Sequence, residues 1–304
     1  MATATRNNFY DRGLFKSHKL LHPVISVGNL SVGGSGKTPF VMLLGELLKQ
    51  RGIAFDVLSR GYGRETHGAM AVDPSGTSRD FADEPLLIAR RLGCPVIVGE
   101  SRYEAGKLSE RQRPAPSLHI LDDGFQHRSL ARDFDIVLLT PEDLHDQILP
   151  AGRLREPISS LRRADAVVLT EEIDPTYLPA GKFVWRVRRS LAISAAPNRP
   201  IVFCGIARPH KFIKQLRTAG IQPAAEKFYR DHHRYSSDDI RELLELRDQN
   251  RANGFITTEK DGINLGAYLA EISPTIAKVE MELIDAPDAL DTILRVIAER
   301  RAKA

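Results

Sequence analysis

Apolar positions along this chain follow two alternating rhythms. Short, almost wholly apolar runs stand at Val24-Ile25-Ser26-Val27, Phe55-Asp56-Val57-Leu58-Ser59, Val96-Ile97-Val98, Leu118-His119-Ile120-Leu121, Ile136-Val137-Leu138-Leu139 and Ala166-Val167-Val168-Leu169-Thr170. Between them, residues 40–50 (closed by Gly52) and 84–92 space their apolar positions as helices do. Buried strands alternating with helices predict a parallel sheet covered on both faces. Ligands on such sheets gather at the carboxyl ends of strands.

The rhythm changes after residue 182. Residues 183–194 alternate apolar with basic positions and run into Ala195-Ala196-Pro197-Asn198-Arg199-Pro200, which reads as an extended connector over 183–199. A second unit follows over 200–304, with strands at Ile201-Val202-Phe203-Cys204-Gly205 and Phe255-Ile256-Thr257 and helices near 238–249 and 289–301. The expected organisation is an α/β core over 1–182 and a smaller α/β lobe after the connector.

Length agrees with two domains: 304 residues against the usual ~100–200 per domain. The formal net charge of +4 suits anionic partners (phosphates, nucleic acid or an anionic membrane surface) without choosing among them. The two cysteines, Cys94 and Cys204, sit beside apolar runs and read as buried thiols in a reducing compartment, with no metal-binding spacing. No stretch reaches the ~18 apolar residues of a membrane span, and the first twenty residues lack a signal-peptide core, so a cytosolic protein is expected. Phe9, Tyr10, Leu14, Phe15, Leu20 and Leu21 alternate there with Arg6, Arg12, Lys16, His18 and Lys19. Such a mixture suits either an anionic membrane surface or a short helix packed on the domain.

The chemistry starts where the first strand ends. Leu30-Ser31-Val32-Gly33-Gly34-Ser35-Gly36-Lys37-Thr38-Pro39 is a glycine-rich turn that opens a helix. In such a loop backbone N–H groups point at phosphate oxygens, and glycine permits the close approach. Lys37 would reach the β- and γ-phosphates and the Thr38 hydroxyl a Mg²⁺ ion. The usual pattern begins with glycine where this chain has Ser31. A second phosphate-site feature is the strand ending in Asp122-Asp123, followed by Gly124-Phe125-Gln126-His127-Arg128. Adjacent carboxylates repel unless a cation lies between them or they face apart. Asp83-Glu84-Pro85 opens a helix, as an acidic cap or as an active-site carboxylate pair. Gly152-Arg153-Leu154-Arg155-Glu156-Pro157 offers arginine forks to phosphate oxygens, or a surface ion pair with Glu156. Asp231-His232-His233 supplies imidazoles able to orient a base, too few for a metal site alone. Thr257-Thr258-Glu259-Lys260-Asp261 has the residues of a guanine-selecting motif in the wrong order, which argues against a GTPase.

Together these segments resemble the tetraacyldisaccharide 4'-kinase family, the lipid A 4'-kinases of Gram-negative bacteria. Val27-Gly28-Asn29, Ser31 to Pro39, Leu58-Ser59-Arg60-Gly61-Tyr62-Gly63-Arg64, Asp83-Glu84-Pro85, Asp122 to His127, Gly152 to Pro157, Gly205-Ile206-Ala207-Arg208-Pro209, Asp231-His232-His233 and Thr258 to Asp261 stand in family order across nearly the whole chain. The resemblance implies a P-loop kinase core with a smaller C-terminal lobe and the site between them. It implies transfer of the ATP γ-phosphate to the 4'-hydroxyl of an acylated glucosamine disaccharide 1-phosphate at the cytoplasmic face of the bacterial inner membrane. Ser31, Val32, Gly33, Gly34, Ser35, Gly36, Lys37 and Thr38 would then hold ATP, and Thr38, Glu84 and Asp122 would arrange Mg²⁺. Asp83 would be the base, oriented by His232 or His233. Arg155 would stabilise the transferring phosphoryl group, and Asp123, Gln126 and His127 would line the site beside the sugar or phosphate. The expected enzyme is a monomer with no nucleic-acid partner. The segment before Pro23 is shorter than the apolar and basic helix usual in that family, which implies either weaker membrane docking or docking through other surfaces. The competing readings are a soluble P-loop kinase for a small polar metabolite and a nucleotide-switch ATPase; paired acid and histidine motifs argue against the latter, which needs no base aimed at an alcohol.

Overall fold

The computed structural model describes residues 2–303 apart from 113, 171–172, 175, 177 and 285–286. The strands are β1 (Val24–Asn29), β2 (Phe55–Ser59), β3 (Met70–Ala71), β4 (Val96–Val98), β5 (Leu118–Asp122), β6 (Phe134–Leu139), β7 (Ala166–Leu169), β8 (Phe183–Ala192), β9 (Pro200–Cys204), β10 (Ala225–Phe228), β11 (Gly254–Thr258) and β12 (Thr275–Leu283). The helices are α1 (Ala2–Asp11), α2 (Lys37–Gln50), α3 (Ser78–Phe81), α4 (Asp83–Leu92), α5 (Arg102–Glu110), α6 (Pro209–Thr218), α7 (Ser237–Gln249), α8 (Glu259–Leu265), α9 (Tyr268–Ile272) and α10 (Ala289–Ala302). All these strands join one sheet in the order β10-β9-β11-β12-β8-β7-β6-β1-β5-β2-β4-β3. Pairing is parallel except at β12–β8 and at β3–β4.

The first half is the expected doubly covered parallel sheet. On β1, Ile25 and Val27 pack with Phe40, Val41 and Leu44 of α2, while Val24 packs with Leu20, Leu58 and Leu121 on the opposite face. Burial on both faces is why these strands read as continuous apolar runs. The register sets Val27 beside Asp122 and Leu58 beside Leu121, so the ends of β1, β5 and β2 open together on one edge of the sheet.

Residues 183–192, the first part of the stretch read as an extended connector, form β8, an interior strand of the sheet that pairs parallel to β7 and antiparallel to β12. The alternating pattern reflects a strand with one side packed and the other wet: Trp185 and Val187 are buried, Arg188 is exposed. At the β8–β12 seam the sheet reverses direction, and beyond it β12, β11, β9 and β10 run parallel to one another. The segment after the connector is also not confined to the second half. In α10, Leu290, Ile293 and Ile297 join the apolar cluster of the first half beside α2. Arg301 donates to the Leu21 and His22 carbonyls and pairs with Asp133. Glu110 accepts from the backbone N–H groups of the same two residues, so the lead-in to β1 is clamped from both sides.

Gly28 decides how closely the loop after β5 can approach β1: a Cβ there would lie 2.6 Å from Phe125 Cβ and 2.8 Å from its backbone nitrogen. We expect Gly28→Ala to overpack this contact, costing about 1–3 kcal/mol, and to lower the midpoint of thermal unfolding by several degrees. Calorimetry showing an unchanged midpoint would refute this role.

Candidate active site

A cavity of about 1190 Å³ lies where the carboxyl ends of β1, β2 and β5 meet the loops that follow β9, β10 and β11. Its walls include the glycine-rich loop, Asp83, Glu84, Asp122, Asp123, Arg155, His232 and Lys260.

The loop 31–36 leaves β1 and ends at Gly36 (φ 91°), a left-handed residue that starts α2 without any side-chain cap. The first N–H groups of α2 are thereby left for an anionic ligand. Gly33 (φ 78°) lies beneath Ala207, and a Cβ at Gly34 would fall 3.1 Å from Arg208 Cδ, so the loop after β9 rests on the glycine-rich turn. Lys37 lies along the loop, donating to Asn29 Oδ1 (3.1 Å) and pairing with Asp123 (3.5 Å).

The two adjacent aspartates face apart. Asp123 adopts φ 49° and turns to Arg155, which grips it with both terminal nitrogens at 2.8 Å. Burial would raise the Asp123 carboxyl, but Lys37 and Arg155 hold it well below the ordinary carboxylate range. Asp122 points inward, where its Oδ2 accepts from Ser59 Oγ (3.0 Å) and its Oδ1 is buried with no hydrogen-bond partner. Burial, with Glu84 and Asp123 nearby, pushes Asp122 up to about 7. A buried carboxylate oxygen without a hydrogen-bond partner, crowded by two further carboxylates, is what a divalent cation would satisfy, so the residues present fit Mg²⁺. Among the described residues, no group of three or more His, Cys, Asp or Glu could hold a metal by itself. Phosphate oxygens and water would therefore complete the shell, as is usual for this ion. Thr38 is buried on the same wall. Glu84, the third expected ligand, is paired with Lys260.

Asp83 opens α4 and is 4% exposed. It accepts from Glu84 N–H (2.8 Å), as an N-terminal acid should, and also from His232 Nδ1 (2.8 and 3.0 Å) and Asn264 Nδ2 (3.1 Å) across the cleft. Burial alone would raise its pKa; the His232 hydrogen bond and the Lys260 charge outweigh that and bring it down to about 2. The same bond raises His232. His232 sits at φ 59°, a left-handed turn after β10 that aims its ring into the cavity. His233 turns the other way, stacking on Tyr229 (4.5 Å between centroids) and bonding Asp239 (3.1 Å). The geometry thus pairs Asp83 with His232, and His233 belongs to the start of α7.

Two expected substrate residues do not line the cavity. Gln126 donates to the Asn29 carbonyl (2.9 Å), bracing the end of β1, and His127 bonds Ser129 (2.9 Å) behind it. The alternative reading of the Gly152–Pro157 loop, a surface ion pair to Glu156, is not what forms: Arg153 pairs with Asp146, Arg155 with Asp123, and the buried Glu156 pairs with Arg163 and accepts from Asn7. Sequence reading missed Lys260 and Asn264, which reach the acidic pair from α8. The wrong-order motif at Thr258-Glu259-Lys260-Asp261 was the available signal. Asp261 of that motif accepts from Gly205 N–H (2.7 Å) and Tyr235 Oη (2.8 Å), which fixes the loops that carry Arg208 and His232.

The family model for tetraacyldisaccharide-1-P 4'-kinase matches residues 1–298. The tetraacyldisaccharide 4'-kinase of Koribacter versatilis is 49% identical over 310 residues, covering 98% of this chain and 96% of that protein. That of Aquifex aeolicus is 41% identical over 281 residues, with coverage of 86% and 85%. The crystal structure of LpxK from Aquifex aeolicus in complex with ATP matches with a TM-score of 0.80 at 36% identity, over 97% of this chain and 95% of that one.

The contribution of the raised His232 group is complete below its ordinary value of 6.5 and is lost as pH rises through the raised value. The contribution of Asp83 is present above its ordinary 3.8 and is lost only as pH falls toward 2. NMR titration of the His232 ring should give a midpoint above 6.5, returning downward in Asp83→Asn. An equal midpoint in both proteins would show that the pair does not form.

Proposed function

The chain belongs to the tetraacyldisaccharide-1-P 4'-kinase family, and from that premise we propose how its cleft performs the reaction. The enzyme is an ATP-dependent kinase of lipid A biosynthesis that phosphorylates the 4'-hydroxyl of tetraacyldisaccharide 1-phosphate to form lipid IVA. The observation that carries the reading is that a buried, ionised carboxylate, Asp83, and a phosphate-binding loop open into the same cavity.

Residues 31–38 hold the triphosphate, with Lys37 turning from Asp123 and Asn29 toward the β- and γ-oxygens. Thr38, Asp122 and Glu84 would hold Mg²⁺, which when bound offsets charge on the phosphates. Arg155 keeps a guanidinium on the wall beside Asp123, available to charge building on the transferring group. Asp83 accepts the hydrogen bond of the sugar hydroxyl and orients it for in-line attack. With a pKa near 2 it is a weak base. That is sufficient where the transition state is loose and the hydroxyl proton leaves late. His232 and Asn264 fix the carboxylate, so little reorganisation is needed at the moment of transfer.

The acyl chains of the substrate call for a membrane-proximal enzyme, and the reading places this one peripherally on the cytoplasmic face of the inner membrane. Among the described residues, no helix is long and apolar enough to cross a membrane. The helix α1 is docked, with Asn7 on Glu156 and Arg128 on Asp11. The segment after it leaves Leu14, Phe15 and Leu21 exposed among exposed Arg12, Lys16 and Lys19, a composition suited to an anionic bilayer surface.

Incubation with γ-labelled ATP and a tetraacylated disaccharide 1-phosphate in detergent should label the lipid. Lys37→Ala should abolish labelling while keeping its circular dichroism. Asp83→Asn should lower kcat by about 100-fold or more with little change in ATP affinity, since general-base and orienting effects act on the transition state. ATP hydrolysis without lipid product, or equal turnover of a deacylated sugar, would overturn the assignment. Replacing Leu14, Phe15 and Leu21 together by Ser should reduce co-sedimentation with phosphatidylglycerol-containing vesicles while sparing activity in detergent. Unchanged sedimentation would remove this segment from the membrane contact.

A further inference from the structure

Arg208 is the cavity residue whose contacts leave most unexplained. It follows β9 in the Gly205-Ile206-Ala207-Arg208 turn and precedes α6, whose Pro209 opens the helix. Its stem crosses the glycine-rich loop: a Cβ at Gly34 would stand 3.1 Å from its Cδ and 3.4 Å from its Nε. One terminal nitrogen, Nη1, lies 3.5 Å from Glu142, a weak contact to the turn after β6. The opposite edge, Nε and Nη2, is buried and has no hydrogen-bond partner. That edge is the one with which a guanidinium grips a phosphate or carboxylate through two parallel hydrogen bonds. A buried cation edge without acceptors is costly, and its nearest neighbour is a loop built to seat phosphates. Lys211, one turn along α6, also pairs with Glu142 (2.5 Å), so a single carboxylate holds two cations at the rim of the phosphate loop.

Resting on the kinase reading above, we propose that Arg208 is a phosphate-binding residue. It is supplied from the far half of the sheet, donates from Nε and Nη2 to oxygens of the nucleotide triphosphate on the Ser31–Thr38 loop, and has Glu142 as its counter-ion. Glu142 holds the guanidinium by its outer corner and leaves the paired donors aimed at the loop. Because Arg208 and the loop lie on opposite sides of the β8–β12 seam, this contact makes ATP a bridge between the halves.

The test is equilibrium binding of adenosine, ADP and ATP, together with steady-state kinetics, for wild type, Arg208→Ala, Arg208→Lys and Glu142→Gln. Arg208→Ala should weaken ATP and ADP by about tenfold, the order expected for a hydrogen bond to a charged group, and leave adenosine unaffected. Arg208→Lys should recover part of the loss, since it keeps the charge without the fork. Glu142→Gln should bind ATP at least as tightly as wild type. If the Arg208–Glu142 contact were only a tether between the halves, Arg208→Ala and Glu142→Gln would weaken binding alike, and the loss would not depend on the number of phosphates; either result overturns the proposal. Wild-type ATP binding with an unchanged Arg208→Ala overturns the proposal alone. Failure of the wild type to bind ATP overturns the kinase reading and the proposal with it.

Discussion

Asp83, Glu84, Asp122 and Asp123 share the walls of one cleft, and each calls for compensation there. Asp123 takes Lys37 and Arg155, Asp83 takes His232, Glu84 takes Lys260, and Asp122 has only a hydroxyl. Burying an ion pair is close to neutral in net stability, but breaking one leaves a charge in low dielectric at a cost of several kcal/mol. Two of the compensating cations come from the far half of the sheet. The arrangement of the halves is therefore set by electrostatics as well as by apolar packing, and Asp122, which among the described residues forms no ion pair and keeps an unpartnered oxygen, marks where an external positive charge belongs. Arg91–Glu259 (2.6 Å) and Arg234–Glu65 extend the same logic around the rim.

The central strands were legible in the sequence because burial on both faces makes them apolar without interruption, and the helices α2, α4, α7 and α10 because their apolar stripes meet a sheet. The strands β8 and β12 were harder. Each has a wet side carrying Arg188, Glu280 or Glu282, and a strand pattern with charges on one face resembles an exposed linker until its partner is known. The helix α8 gave little signal because its residues serve polar contacts: Asp261, Asn264 and Lys260 bond to groups far away in sequence.

The site divides in the same way. The glycine-rich loop is a local pattern whose chemistry follows from spacing, whereas the aspartate pair and the acidic start of α4 stood out as acidic clusters whose spacing left a turn or a helix cap equally open. The choice between His232 and His233 depends on a left-handed turn and on the stacking of His233 against Tyr229, which spacing does not contain. Gln126 and His127 show the converse. The family resemblance made them candidates for substrate contact, yet where Phe125 packs closely over Gly28 both side chains bond to the scaffold.

The clamp formed by α10 on the lead-in to β1 has a consequence for synthesis. The glycine-rich loop emerges from the ribosome well over two hundred residues before Arg301, which secures the Leu21 and His22 carbonyls. The strands β11 and β12, and with them Lys260 and Asn264, also arrive late. A nascent chain can build the doubly covered sheet around β1 as an early folding unit, but it carries an incomplete cleft until β11, α8 and β12 have been made. Completion of the cleft is thereby coupled to synthesis through α10, long after the glycine-rich loop has been made.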